Sequence, residues 1–192
     1  GEALHGAGVG FNPVFYVTLG SGVGGGLVVD GKIYHGAKPG EAEIGHVRLD
    51  RHGTIVESRC SGWAVDARIR ELKVRHPESV LSKLTEGMTG GEAKHLPEAL
   101  KQADAVAQHL LQEVAEDLAF GLSHVVQLLH PEVIVIGGGL SGVGEPLRAA
   151  VERALKFFVM GAFLPGPQIR LTGLGEDAVT MGALQLAKAN LK

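Results

Sequence analysis

Cysteine is almost absent from this sequence, which contains a single one at position 60. Cys60 therefore has no partner for a disulfide within the chain. The sequence also lacks a charged segment followed by an apolar stretch, and it lacks a long uninterrupted apolar run, so neither an export signal nor a membrane helix is indicated. Together these absences predict a cytoplasmic protein that does not associate with membranes.

Clustered positive charge is missing as well. The formal net charge is −3, and no run of Lys or Arg is long enough to form a nucleic-acid or anionic-membrane surface. Binding of nucleic acid by this chain is therefore not expected. The composition, 45% hydrophobic and 20% charged residues over 192 positions, suits one α/β domain or two small lobes around a shared sheet.

Glycine is the abundant residue, with 29 copies, about twice the usual share. The glycines are clustered rather than periodic, chiefly in the ranges 20–26 and 137–139. Each cluster follows an apolar, β-branched run, which is typical of a turn at the end of a strand.

Local patterns predict the elements before the first long helical region. In chain order these are the end of a helix at 2–5 closed by Gly6 and Gly8, a buried strand at 14–19, a hairpin of 27–29 and 32–34 around Asp30-Gly31, a strand at 47–50, and a helix capped by Ser61 that runs to about His76.

Helical periodicity and short apolar runs predict alternating helices and strands after that point. We expect one long or bent helix from Pro97 to Leu129 with Gly121 at the bend, a buried parallel strand at 133–136, a helix at 145–158, a strand at 168–171, and a helix at 178–188 preceded by Glu176 and Asp177. Gly90-Gly91 is the predicted flexible loop. The alternation implies βαβ crossovers.

The first glycine cluster, from Thr18 to Gly26, is typical of a phosphate-binding loop, because glycines let backbone N–H groups approach an anion. Thr18 and Ser21 add hydroxyl donors. The Gly-Lys-Ser/Thr of a Walker loop is absent, and the cluster leads into a strand rather than the helix of a dinucleotide fingerprint. A tight turn with no ligand is the alternative.

The second cluster, Gly137 to Gly139, comes at the carboxyl end of a buried strand, where open α/β sheets bind ligands. Backbone without side chains would let a flat ring lie against it. Close packing of a helix on the strand explains the same glycines equally well.

A third group of candidates is polar. Glu43 and His46 lie three residues apart around a glycine, and Glu57 follows, so these side chains could bind sugar hydroxyls. Solvated surface is the alternative. His46 and Cys60 together offer too few ligands for a tetrahedral zinc site.

The order of these motifs closely resembles the ROK family of bacterial sugar kinases and sugar-responsive repressors. The resemblance rests on the segments TLGSGVGGG at 18–26, DGKIYHG at 30–36, GEAEIGH at 40–46 and HPEVIVIGGG at 130–139. It implies an α/β, actin-like ATPase (ribonuclease H-like) fold with a mixed sheet and flanking helices. It also implies ATP-binding residues Thr18, Gly20, Ser21, Gly22, Gly24, Gly137, Gly138 and Gly139, and sugar-binding residues Glu43, His46 and Glu57.

The sequence departs from the family pattern in two places. The three cysteines of the family's CxCGxxGC zinc motif are replaced by a shorter stretch, 53–57, so no zinc is expected. Neither the DxGGT-type phosphate loop nor the catalytic aspartate of the family is present. We therefore expect residues 1–192 to be a C-terminal sugar- and nucleotide-binding domain without the N-terminal lobe, with no catalytic residue of its own and no kinase activity alone.

The resemblance implies that the parent protein is an ATP-dependent kinase of a hexose or hexosamine, similar to glucokinase, that uses Mg²⁺ and forms a homodimer. The sensor domain of a ROK-type transcriptional repressor is the alternative, since it shares these motifs. A structural or dimerisation fragment that binds no ligand is a third possibility.

Overall fold

The computed structural model describes residues 1–37 and 40–190. Its centre is a five-stranded sheet with the strand order β3-β2-β1-β4-β5. The strands are β1 (Val14–Leu19), β2 (Val23–Val29), β3 (Lys32–Ile33), β4 (Val133–Gly137) and β5 (Gln168–Leu171). The helices are α1 (Glu2–His5), α2 (Val56–Cys60), α3 (Gly62–Arg75), α4 (Val80–Leu84), α5 (Leu96–Lys101), α6 (Ala105–Leu129), α7 (Glu145–Phe158) and α8 (Asp177–Asn190).

The sheet is mixed. β1 pairs antiparallel with β2, and β2 pairs antiparallel with β3, whereas β1, β4 and β5 run parallel. Asp30 and Gly31 form the predicted hairpin turn between β2 and β3, with positive φ angles of 51° and 72°, as a two-residue hairpin turn requires. The parallel pair β4–β5 is joined through α7, which confirms the predicted crossover.

The two faces of the sheet are covered unequally. Alternate residues of β1 point to opposite faces, and Phe15, Val17 and Leu19 belong to the large core that includes α6 and α7. Val14 belongs to a smaller cluster with Val133 of β4 on the other face. No helix among residues 1–37 and 40–190 is long and apolar enough to cross a membrane.

Two predictions about extended structure were wrong. The first glycine cluster is mostly strand, because Gly24, Gly25 and Gly26 pair with β1, and only residues 20–22 form the loop. Residues 47–50 do not form a strand but make a single antiparallel bridge between Arg48 and Ile55. The carboxylate of Asp50 closes this turn, because its Oδ1 accepts hydrogen bonds from the backbone N–H groups of residues 52–54 at 2.6–3.2 Å.

The predicted helix over 97–129 is two helices. α5 ends at Lys101, Ala103 has a positive φ of 56°, and Asp104 caps α6 by accepting hydrogen bonds from the N–H groups of Val106 and Ala107 at 2.7 and 3.1 Å. The side chain of an N-cap aspartate satisfies amides that a continuous helix would pair internally.

Gly121, predicted to mark a bend, lies inside α6, which is one helix from Ala105 to Leu129. A Cβ at Gly121 would lie 2.5 Å from Cγ2 of Val56 on α2. The glycine therefore allows α2 and α6 to pack closely. Sequence periodicity did not predict α2, which has only five residues.

The predicted flexible loop at Gly90-Gly91 is anchored instead. Asp66 of α3 accepts hydrogen bonds from the N–H groups of Gly91 and Ala93 at 2.9 and 2.7 Å. Glu92 is fully buried, and both of its carboxylate oxygens accept from Nη1 of Arg70 at 3.0 Å. Two side chains of α3 therefore hold this segment in place.

The predicted helix end at 2–5 is present as α1, and a buried carboxylate attaches it to the rest of the fold. Glu2 accepts hydrogen bonds from the N–H groups of Ala7 and Leu174 at 2.7 and 2.9 Å, and also from Gly173 and the Thr172 hydroxyl. Burial alone would raise the pKa of Glu2, but these donors outweigh it and lower the pKa.

Candidate functional site

The glycine loop at residues 20–22 connects β1 to β2 at the carboxyl ends of β1 and β4. Gly20 donates to the carbonyl of Gly22 at 2.9 Å and accepts from the N–H of Gly62, the first residue of α3, at 2.7 Å. The N–H of Val23, directly after the loop, donates to Oε2 of Glu57 at 2.9 Å. Both α2 and α3 therefore fix the shape of this loop.

The strand register brings the two glycine segments together. Thr18 of β1 pairs with Gly24 on one side and with Gly137 on the other. The eight residues predicted to bind ATP thus lie on three adjacent strands and the two turns that follow β1 and β4. Open α/β sheets bind ligands outside the carboxyl ends of their strands, and this is such an edge.

The glycines at this edge of the sheet differ in whether protein atoms occupy the space where a Cβ would lie. A Cβ at Gly22 would lie 2.6 Å from Oε2 of Glu57, so a side chain here would displace the carboxylate that accepts from the N–H of Val23. A Cβ at Gly20 would have no neighbour nearer than 4.0 Å, and one at Gly139 would have none within 4 Å. Neither Gly20 nor Gly139 has a positive φ. Their missing side chains leave open space beside the backbone, which is what a bound nucleotide needs.

The second turn also supports its alternative interpretation. Gly138 has a φ of 79°, and a Cβ there would lie 2.6 Å from the backbone of Leu19. A Cβ at Gly137 would collide with the hydroxyl of Tyr16, a residue whose pKa is raised chiefly by burial. Close packing thus explains Gly137 and Gly138, but it does not explain Gly139.

The polar candidates are carried by a short 3₁₀ turn, Ile44–His46, with Glu43 before it. The buried side chain of Ile44 and the backbone of Gly45 rest on β2, where a Cβ at Gly45 would collide with the carbonyl of Val23. The side chains of Glu43 and His46 are exposed. Among the residues that the structure describes, neither side chain has a hydrogen-bond partner, so both are free to bind a ligand.

Glu57 lies between the two predicted halves of the site. It is on α2, which contacts both β2 and the Ile44–His46 turn. Its Oε2 is occupied by the N–H of Val23, whereas Oε1 accepts no hydrogen bond from the described part of the chain. The sequence assigned Glu57 to the sugar, and the structure adds that this carboxylate also supports the glycine loop.

The structure separates the two side chains considered for zinc. Cys60 is fully buried, its thiol faces the carbonyl of Val114 at 3.7 Å, and burial raises the pKa of the thiol well above its ordinary value. His46 is exposed on another segment. Residues 1–37 and 40–190 contain no group of three or more His, Cys, Asp or Glu side chains suited to a metal ion.

Sequence reasoning predicted the cap of α3 at Ser61 but did not include the start of this helix in the candidate site. Ser61 caps this helix by accepting from the N–H of Ala64 at 3.1 Å, and Gly62 and Trp63 then follow beside the loop. The signal was available, because the predicted cap at Ser61 places the next two residues at a helix N-terminus, where backbone N–H groups are free to bind anions.

The mixed sheet, with two glycine turns at the carboxyl ends of adjacent strands and with flanking helices, defines an α/β domain whose fold is that of the actin-like ATPases. The ROK family model matches residues 1–190, and the chain belongs to the ROK family.

Three known proteins illustrate the similarity. The chain is 30% identical to a glucokinase of Thermotoga maritima, with all of this chain and 63% of the relative covered. It superimposes with a TM-score of 0.87 on a ROK family glucokinase from Streptomyces griseus, whose crystal structure contains glucose and AMPPNP, at 31% identity over 96% of this chain and 63% of the other. It is 22% identical to a xylose repressor of Caldicellulosiruptor bescii, covering 93% of this chain and 46% of the relative.

Proposed function

We propose that this chain is the C-terminal sugar- and nucleotide-binding domain of an ATP-dependent hexose or hexosamine kinase of the glucokinase type. The observation that carries the proposal is the register of Thr18 between Gly24 and Gly137, which unites both glycine segments at one edge of the sheet. The chain spans 63% of the length of the Thermotoga maritima glucokinase. The activity is therefore proposed for the whole protein.

The geometry supports separate phosphate-binding and adenosine-binding parts within the site. The loop at 20–22 has room for phosphate oxygens at Gly20, and the hydroxyls of Thr18 and Ser21 can donate hydrogen bonds to them. The adenosine would lie towards Gly139. Phosphoryl transfer depends mainly on positioning and charge stabilisation, and these residues would supply the positioning of ATP.

The sugar would bind at Glu43, His46 and Glu57. Their carboxylates accept and the imidazole donates or accepts hydrogen bonds, which matches the mixed character of sugar hydroxyls. Glucose is the first substrate to test, because the relatives with about 30% identity are named glucokinases. Mg²⁺ would be held largely by the phosphates of ATP, as is usual for this ion.

No residue of this chain is proposed as the catalytic base. We expect the chain by itself to bind sugar and ATP without turnover, since loss of a general base alone costs about 10²–10⁴-fold in rate. A coupled assay of the complete protein against a panel of hexoses and hexosamines tests the kinase proposal. Failure to phosphorylate any of these sugars would reject it.

A sugar-responsive repressor remains the second candidate, because the chain is also similar to a xylose repressor, at 22% identity. The open space at Gly20 and Gly139 favours the kinase. Thermal unfolding discriminates between the two. A kinase should be stabilised by ATP as well as by sugar, whereas stabilisation by sugar alone would favour the sensor.

We also propose that the protein acts in the cytoplasm as a homodimer. The feature that supports the homodimer is apolar surface at the end of α7, where Phe157 is 86% exposed and Met160 is 50% exposed. Phe158 packs edge-to-face on Phe120 beneath them, with the ring centroids 5.4 Å apart. Exposed apolar patches commonly mark protein interfaces. Sedimentation should show a dimer that Phe157→Ser weakens, and a monomer at all concentrations would reject the proposal.

A further inference from the structure

Trp63 is the only tryptophan of the chain and is 71% exposed. It occupies the second position of α3, directly after Gly62. A large aromatic side chain that is neither packed in the core nor part of an apolar cluster gains little from its position in the protein alone. The position of Trp63 in the fold indicates a role in ligand binding.

The backbone places Trp63 beside the glycine loop. The N–H of Gly62 donates to the carbonyl of Gly20 at 2.7 Å, so the residue that carries the indole is one peptide unit from a direct contact with the loop. The same loop has open space at Gly20. The backbone of Trp63 therefore lies at the edge of the proposed phosphate site.

The face of α3 that carries Trp63 is also connected to the second turn. Residues three and seven positions apart share a face of a helix, so Trp63 shares a face with Asp66 and Arg70. Those two side chains hold the segment 91–93 through hydrogen bonds of 2.7–3.0 Å. This segment continues into a 3₁₀ turn that contacts the turn Gly139–Val143. The helix face that carries Trp63 is therefore linked, through residues 91–95, to the turn that begins at Gly139.

We propose that Trp63 stacks on the base of the bound nucleotide. The inference rests on the proposed nucleotide site. Aromatic side chains stack on nucleic-acid bases because every base has a π-face. The glycine loop would still bind the phosphates, so Trp63 would contribute to the affinity for the base and not to the affinity for the phosphates.

Calorimetric titrations of this chain with ATP and with inorganic tripolyphosphate separate these two contributions. Trp63→Ala should weaken ATP binding roughly 5- to 150-fold and leave tripolyphosphate binding unchanged. Trp63→Phe should retain most of the ATP affinity, because a phenyl ring can still stack. Val74→Ala is the matched control, since Val74 is 83% exposed on the same helix about three turns away.

Fluorescence of the wild-type chain gives an independent readout, because all tryptophan emission comes from Trp63. ATP should change this emission and tripolyphosphate should not. Equal ATP affinity of the wild type and Trp63→Ala would overturn the stacking proposal while leaving the nucleotide site intact. A wild-type chain that binds neither ATP nor tripolyphosphate would overturn the nucleotide site itself, so the two failures are distinguishable. Equal weakening of both ligands by Trp63→Ala would also reject stacking.

Discussion

Oε2 of Glu57 accepts a hydrogen bond from the backbone N–H of Val23 at 2.9 Å, across 34 positions of sequence. This bond connects α2 to the strand that follows the glycine loop. The remaining oxygen, Oε1, has no donor among residues 1–37 and 40–190. One side chain can thus shape the loop with one oxygen and bind a sugar hydroxyl with the other.

Substitutions of Glu57 should separate these roles. Glu57→Ala leaves the N–H of Val23 without an acceptor and should lower the free energy of unfolding by about 1–3 kcal/mol, in addition to weakening sugar binding. Glu57→Gln retains an acceptor for Val23 and should therefore keep stability while still weakening sugar binding. Chemical denaturation and sugar titration check both outcomes. Equal stability of Glu57→Ala and the wild type would contradict the structural role.

Glu43→Gln and His46→Ala should weaken sugar use by the complete protein and leave the KM for ATP unchanged. Each substitution removes a group that the structure leaves free on the exposed turn before α2. Loss of one hydrogen bond to a sugar hydroxyl should cost about 1–3 kcal/mol, roughly 5- to 150-fold in kcat/KM. A raised KM for ATP with an unchanged KM for sugar would contradict the assignment of these two residues to the sugar.

Gly20→Ala should fold normally and bind ATP poorly. A Cβ at this position has no protein atom nearer than 4.0 Å, so stability should stay within about 0.5 kcal/mol. The methyl group would occupy space proposed for phosphate, which should weaken ATP binding roughly 5- to 150-fold. Gly161→Ala is the control, because Gly161 is equally open and lies after α7. Unaltered ATP affinity in Gly20→Ala would argue for a tight turn without a ligand.

The chain should contain no structural zinc. Asp50 closes the turn before α2 by accepting three backbone hydrogen bonds. Hydrogen bonding, chiefly with the side chain of Thr54, lowers the pKa of the Asp50 carboxyl group. A chelator should therefore leave the Tm unchanged, whereas Asp50→Ala should reduce it. Metal analysis of protein that was never exposed to chelator checks the prediction, and one zinc per chain would contradict it.

Asp104 should make stability depend on pH. Burial alone would raise the pKa of its carboxyl group, but hydrogen bonds from backbone N–H groups, including those of Leu81 and Ala107, outweigh burial and lower the pKa. A lowered pKa in the folded state means that the stabilisation is complete above the ordinary aspartate value of about 4. It is lost as the pH falls through the lower folded value.

Asp104→Asn gives the matching measurement. The wild type should exceed this variant in free energy of unfolding by about 1 kcal/mol near neutral pH, because hydrogen bonds to a charged acceptor are stronger than those to a neutral amide oxygen. The difference should shrink as the pH is lowered below about 4, because the wild-type carboxyl group becomes protonated. A difference that stays constant down to strongly acidic pH would contradict the assigned pKa shift.

The sequence predicted those elements whose signal is local. β1 and β4 are short apolar runs bounded by glycine or proline, and the structure places them within one residue of the predicted ranges. β2 begins four residues earlier than predicted, because glycines have no side chains to show the alternation of a strand. The pairing of Gly24 with Thr18 depends on the partner strand, which the local sequence does not specify.

The errors in the helical region arise from tertiary contacts. Apolar periodicity continues across residues 102–104, but Asp104 accepts a hydrogen bond from Leu81 of α4 at 2.8 Å while it caps α6. Asp66 similarly fixes Gly91, 25 positions away. In the site, residue types predicted the candidate groups, whereas the contact of Glu57 with Val23 could not be read from spacing. Long-range hydrogen bonds of this kind leave no periodic trace in a sequence.

The buried carboxylate of Glu2 has a consequence for how the domain opens. It accepts hydrogen bonds from the N–H groups of Ala7, Gly173 and Leu174 at once, so a motion that withdraws this side chain removes the acceptor of all three amides together. α1 and the segment that leads into α8 should thus exchange their amide hydrogens as one cooperative unit, although more than 160 residues separate them in the chain.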